Sequence, residues 1–297
     1  MNKNLKGAVL SIFGGVCWGL SGSCGQYLFT QQGMDSKWLV PIRLGCAGIL
    51  LFVYCFFKYG KTKTFEPWQT KKNTFDLFVY GLFGISCCQF LYFLTIQLSS
   101  AGAATILQDL SPIFILIVTC LLEKRRPRGI EVGAIVLAML GVVLITTHGS
   151  LNSNAISPAA LFAGIGCAFC VVIYNVEPKK LLEQFPVTIL QAWAFLMGGV
   201  FFALIFHIWT ISYTPTFLGV LGILFVVVVG NVLAFTCYIE GVHLIGPSKA
   251  ILYGFSEPIT AALVTFLFMG SPFTIWDGLG FVCVFLMLVL ISQKKAQ

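Results

Sequence analysis

Arg43, Asp109 and Glu257 each stand well inside an apolar stretch of a 297-residue chain that is 58% hydrophobic and 10% charged. A charge in hydrocarbon costs at least about 2.5–3.5 kcal/mol on insertion scales, so each of the three needs a partner or a task. Glu257 precedes Pro258, whose missing N–H is expected to free the carbonyl of Gly254 one turn back. A carboxyl beside a freed carbonyl can take a proton, a cation or a substrate ammonium. No opposite charge in the neighbouring sequence satisfies Glu257. Asp109, just before Pro112, has a candidate partner in Arg43. Both lie about six residues from the same end of their apolar stretches, about 9 Å deep at 1.5 Å per residue. They are expected to pair, as a fixed strut, as an outer gate, or in contact with substrate.

Neutral polar and aromatic residues fall at similar mid-stretch positions: Trp18, Gln89, Tyr92, Gln108, Tyr174, Trp193, Asn231, Tyr238 and Tyr253. An apolar cavity with a few such groups suits a small amphipathic metabolite. Tyr253 is four residues before Glu257, which puts both on one helix face. Gln108 and Ser111 are one turn apart around Pro112. Trp38, Trp209 and Trp276 sit at stretch ends, where aromatic side chains form an interfacial belt.

Other chemistries lack their residues. There is no H-E-x-x-H, no phosphate-binding glycine loop and no G-x-S-x-G elbow, so the chain reads as a non-enzyme without a cofactor. His148, His207 and His243 are far apart at stretch ends, and no metal site is expected from them. Most of the 11 cysteines lie in apolar stretches, where they pack as small hydrophobes. Cys167 and Cys170 form a lone C-x-x-C without further ligands, which reads as packing.

The elements that position these residues follow from hydropathy. The mean hydropathy is +0.93, and the apolar blocks are about 20 residues long, the length that crosses a bilayer as a helix. Ten blocks are predicted, at 8–28, 38–57, 75–98, 103–122, 129–147, 158–177, 186–207, 216–239, 248–268 and 274–292. All Lys and Arg residues except Lys37 and Arg43 fall at the amino terminus, at the carboxy terminus or in alternate connectors. That asymmetry places both termini in the cytoplasm. The formal charge of +7 is then a topology signal and does not point to nucleic acid.

One pattern occurs twice, 146 residues apart. Tyr92–Leu122 and Tyr238–Phe268 align Tyr92 with Tyr238, Pro112 with Pro258, and Val118-Thr119 with Val264-Thr265. Five spans per half is an odd number, so the copies must run in opposite directions through the membrane. The halves are expected at 1–149 and 158–297, joined by an uncharged outer linker at 150–157. Span 1 carries Gly14, Gly15, Gly19, Gly22 and Gly25 with Ser21 and Ser23. Gly15 and Gly19 form a G-x-x-x-G suited to close helix contact, and the small residues could equally line a cavity.

The chain resembles the drug/metabolite transporter superfamily, in its EamA-type ten-helix members. The resemblance spans the whole chain. It rests on Trp18-Gly19, Arg43-Leu44, the run Ser100–Pro112, its repeat from Gly246-Pro247-Ser248-Lys249-Ala250 through Glu257-Pro258, and Leu122-Glu123 followed by Gly133 and Gly141. Met269-Gly270-Ser271 departs from the pattern by lacking the acid after glycine. The resemblance implies an all-α inner-membrane carrier for amino acids or related metabolites, often an exporter. It also implies a central cavity lined by spans 1, 3, 4, 6, 8 and 9.

The function expected is secondary transport by alternating access, as a monomer or homodimer in the lipid bilayer, driven by protons or by the cargo's own gradient. Glu257 and Pro258 are the expected coupling pair, Arg43, Asp109 and Pro112 the gating set, and the nine polar and aromatic residues above the substrate wall. A lipid or lipid-precursor translocase of the same fold is the alternative, ahead of a membrane-embedded enzyme.

Overall fold

The computed structural model describes residues 2–99, 101–147, 157–269 and 274–292. The expected linker up to residue 156, His148, Lys294, Lys295 and the Gly270-Ser271 departure lie outside them. Apolar backbone has no water to bond in a bilayer, so each span must satisfy its own N–H and C=O groups as a helix. Among the described residues the secondary structure is all helical.

Ten helical spans follow one another. They are α1 (Lys3–Thr30), α2 (Ser36–Phe65), α3 (Lys71–Leu98), α4 (Ala101–Leu122), α5 (Gly129–Thr147), α6 (Pro158–Val176), α7 (Val187–Phe206), α8 (Phe217–Ile245), α9 (Pro247–Tyr253 continuing as Ser256–Met269) and α10 (Ile275–Ser292). Seven are long and apolar enough to cross a membrane, while α5 and α10 hold shorter apolar stretches, Gly129–Leu144 and Gly278–Met287.

Local sequence sets the starts and stops. Asp35 caps α2 by accepting from Lys37 N, Thr70 caps α3, Ser157 caps α6 ahead of Pro158, and Thr216 caps α8. Each cap satisfies an otherwise orphan first-turn N–H. The sharp turn from α8 into α9 falls on Gly246 at φ +81°, a conformation that a Cβ would strain.

The tightest helix pairs join the first five helices to the last five. α2 packs along α7, α1 along α8 and α9, α3 along α6 and α7, and α5 along α10. Missing side chains allow this approach. A Cβ on Gly48 would come 2.6 Å from Leu196 N, and one on Gly199 2.6 Å from Gly45 N.

Two spans carry a feature the sequence reading did not foresee. Val79–Ser86 in α3 and Val226–Leu233 in α8 are π-helical, each eight residues long and in corresponding positions of the two halves. The wider turn rotates the residues that follow relative to an α-helix. Both segments lie on the contact between halves, the first against α6 and α7 and the second against α1 and α2.

The molecule has two unlike ends. At the lysine-rich end, Phe52, Phe65, Trp68 and Trp193 form an edge-to-face aromatic cluster. The opposite end is tied by side-chain bonds. Tyr213 Oη donates to Gln32 O (2.8 Å), Ser36 N to Gln97 Oε1 (2.7 Å), and Ala101 N to Gln26 Oε1 (3.2 Å).

Candidate functional site

The site is built around two broken helices. α4 stops at Gln108 and restarts at Ser111, with Pro112 in the first turn of the new helix. α9 stops at Tyr253 and restarts at Ser256, with Glu257 and Pro258 in its first turn. Proline in a first turn loses no helical hydrogen bond, because that N–H would be an orphan anyway. The expected free carbonyl at Gly254 is therefore not found: Glu257 N donates to Gly254 O at 2.9 Å. The break comes before the proline, so the chain itself uses that carbonyl.

α1 is the platform for this break. A Cβ on Gly15 would lie 2.7 Å from Gly254 O, and one on Gly19 2.5 Å from Glu257 O. Ser256 Oγ donates to Ile12 O at 2.8 Å. The G-x-x-x-G thus seats the start of the second α9 segment, while Ser21 and Gly22 of the same helix face a cavity. Both readings of the glycine-rich span hold, on different faces.

That cavity lies between the two halves and is lined by Trp18, Arg43, Gln89, Tyr92, Gln108 and Glu257, with Cys88, Phe93, Tyr174 and Phe235 completing its wall. It leaves ≈ 30 Å³ open to the centres of water molecules, room for one or two of them. Tyr92 Oη donates to Glu257 Oε1 at 3.0 Å and sits 3.3 Å from Thr105 Oγ1. No cation stands within ion-pair distance of Glu257 among the described residues.

Arg43 is almost fully buried at 1% exposure. Its Nε donates to Asn231 Oδ1 at 2.9 Å, its Nη2 reaches the same oxygen, and its Cζ lies 3.9 Å above the Phe93 ring. Arg43 Nη1 and Trp18 Nε1 are buried donors without an acceptor among the described residues. A buried donor left unmatched costs about 1–3 kcal/mol, so these two N–H groups favour a ligand that brings acceptors. The cavity wall therefore holds two side chains with an unmatched donor, and one carboxyl.

Several expected positions differ. Arg43 and Asp109 do not pair: Arg43 turns to Asn231 on α8, and Asp109 Oδ2 is shut from solvent without a partner among the described residues. Residue counts along a helix do not set the direction in which a side chain faces. Asn231 is occupied by Arg43, so it holds the arginine and does not line the wall. Trp193 belongs to the aromatic cluster at the lysine-rich end and donates to Thr64 O at 2.8 Å. Tyr253 does not line the cavity, because the break at Gly254 interrupts the helix face it would share with Glu257. Pro112 lies beside Leu116, Ile135 and Leu252, away from the cavity.

Three wall residues escaped the sequence reading: Cys88, Phe93 and Phe235. Their signals were adjacency to Gln89 and Tyr92 and one-turn spacing from Tyr238, patterns common in any apolar span. The C-x-x-C is not a unit either. Cys167 Sγ lies 3.6 Å from Cys88 Sγ and 3.3 Å from Gln108 Oε1.

The model of the EamA-like transporter family matches residues 5–147 and again 158–293. The chain belongs to the EamA-like transporter family. This transporter is 33% identical over 292 residues to the inner membrane transporter YicL of Salmonella typhimurium, covering 98% of this chain and 97% of that one. It is 24% identical to the transporter YyaM of Bacillus subtilis, over 82% and 80% of the two chains. A solved crystal structure superimposes with a TM-score of 0.76 at 16% identity, over 96% and 95% of the chains. That likeness shows the fold. The transporter is a multi-pass membrane protein of ten helices in two inverted five-helix repeats.

A second, larger hollow opens at the lysine-rich end of the transporter. It measures ≈ 530 Å³ on the same scale and is lined by residues from Thr119 to Glu131, from Asn175 to Glu183, and from Val242 to Lys249. At its mouth Arg125 pairs with Glu131 at 2.8 Å and with Glu123 at 2.5 Å. Glu131 first, then Glu123, holds the guanidinium charged. Asn175 lines this vestibule, while its neighbour Tyr174 lines the central cavity.

Proposed function

We propose that the transporter carries a small amphipathic metabolite, an amino acid or a related compound, outward across the cytoplasmic membrane by alternating access. The supporting observation is the paired chemistry of the cavity. Among the described residues Arg43 Nη1 and Trp18 Nε1 have no acceptor, both side chains line the cavity, and Glu257 presents a carboxyl that accepts from Tyr92. A cargo with a carboxylate meets the two donors, and its ammonium meets Glu257. Glu257 takes up a proton when no ammonium occupies it, which couples cargo release to the proton gradient.

In this reading residues 1–149 and 158–297 are the two rocking halves, joined by 150–157. The lysine-rich end faces the cytoplasm, in keeping with the charge bias of the connectors, and the vestibule is the cytoplasmic mouth. The breaks at Asp109–Leu110 and Gly254–Phe255, with the two π-helical segments, supply the flexible points. The test is flux of radiolabelled amino acids in proteoliposomes with an imposed pH gradient. Saturable, gradient-driven flux of one chemical class supports the reading. Stimulation by phospholipid headgroups with no amino-acid flux would replace it with a lipid translocase.

A further inference from the structure

We propose that the hydrogen bond between Tyr238 and Asn175 is the inner gate of this transporter, a single side-chain layer separating the cargo cavity from the vestibule. The inference rests on the reading of the cavity as the cargo site. Tyr238 is fully buried, and its Oη donates to Asn175 Oδ1 at 2.9 Å.

Two helices run past this bond from one compartment to the other. On α8, Phe235 lines the cavity, Tyr238 comes one turn later, and Val242 one turn beyond lines the vestibule. On α6, Tyr174 lines the cavity, while Asn175 and Val176 line the vestibule. The bond therefore stands where the two spaces approach each other. Trp18 backs it from the cavity side, its ring 4.7 Å from the Tyr238 ring and 4.8 Å from that of Phe235.

The surroundings of the ring suit a moving part. A Cβ on Gly14 would come 2.8 Å from Tyr238 Cβ, so α1 holds the base of the residue closely. The ring passes the side-chain-free Gly254, whose own Cβ would be 3.5 Å from Tyr238 Cε2. The backbone of Tyr238 is fixed, while its tip is held by one neutral hydrogen bond. A neutral bond of this kind is broken at modest cost. The opposite end of the molecule is closed by several bonds among Gln26, Gln32, Ser36, Gln97, Ala101 and Tyr213. The inner barrier is accordingly the thinner one.

Cys88 on the cavity wall is a native reporter for the gate. Inside-out membrane vesicles holding the full chain are treated with a membrane-impermeant methanethiosulfonate, and labelling of Cys88 is followed by site-resolved mass spectrometry. Tyr238→Phe removes the donor and Asn175→Leu removes the acceptor, each leaving similar bulk. Both are expected to label at Cys88 roughly five- to tenfold faster than the native chain from the cytoplasmic face, with labelling from the other face unchanged.

Equal rates in variants and native chain overturn the proposal, as does a rise of the same size from both faces, which would mean a loosened fold. Absence of Cys88 labelling in both variants overturns it too. The assay needs no cargo, so it separates this gate from the cargo assignment. Gated labelling with no amino-acid flux leaves the gate standing and rejects the cargo.

Discussion

Cys88 on α3 and Cys167 on α6 bring their sulfurs within 3.6 Å of each other, both buried, across the contact between the two halves. They come from opposite repeats and are 79 residues apart in sequence. Cys88 also faces the central cavity.

A bond between these sulfurs would staple two helices that the proposed alternating access requires to move apart or slide. Treatment with an alkyl hydroperoxide is expected to join the two thiols as a disulfide, the peroxide taking their two hydrogens and two electrons and leaving as an alcohol and water. Transport should fall by more than about tenfold and return on reduction. Cys88→Ser and Cys167→Ser should each be insensitive. A fully cross-linked chain that still transports at the native rate would show that α3 and α6 move as one body.

Glu257→Gln keeps the shape of the side chain and its contact with Tyr92 while removing the titrating carboxyl. Flux driven by a pH gradient is expected to fall at least about 100-fold, with the thermal midpoint of the purified protein little changed. Tyr92→Phe should be milder, since it removes one bond worth about 0.5–1.5 kcal/mol. Undiminished, pH-dependent flux in Glu257→Gln proteoliposomes would remove Glu257 from the coupling step.

Arg43→Lys retains the charge and loses the planar fork that serves Asn231 and the cavity together. Carboxylate-bearing cargo should bind about 10- to 100-fold more weakly, equivalent to about 1.4–2.8 kcal/mol. Isothermal titration would read this directly. Asn231→Ala should weaken binding less, because it acts on cargo only through Arg43. Native affinity in Arg43→Lys would move the anion site elsewhere.

Gly19→Ala sets a methyl group against backbone, 2.5 Å from Glu257 O and 3.1 Å from Ala261 N. Overpacking of this kind costs about 1–3 kcal/mol, and the thermal midpoint in detergent should drop accordingly. Gly45→Ala, where nothing lies within 4 Å of the new carbon, is the control and should leave the midpoint in place. Equal midpoints would mean that α1 and α9 are less closely seated than these distances require.

The order of elements was legible because hydrocarbon enforces it. Apolar length gave ten spans, and lysine placement separated their ends. The constant offset between Tyr92–Leu122 and Tyr238–Phe268 pointed to a duplicated half, and the family model matches the chain twice, at 5–147 and 158–293. Trp18, Gln89, Tyr92, Gln108, Tyr174 and Glu257 all reach the cavity wall, because a polar group at mid-span must face protein or water. Their depth follows from a fixed rise per residue, which a sequence contains.

The rotation of each helix about its axis was not legible, and the tertiary structure decided it. Packing against neighbouring helices and the π-helical turns of α3 and α8 set which way Arg43, Asn231 and Tyr238 face. Those rotations gave Arg43 to Asn231 and left Asp109 without the arginine. They put Tyr253 behind a helix break and brought Cys88 against Cys167. The sequence by itself determined how many helices there are, how deep each polar residue sits and that the halves are inverted copies. Only packing decided which residues meet, because partners across a bilayer are chosen by azimuth and close approach, and neither is a property of one helix alone.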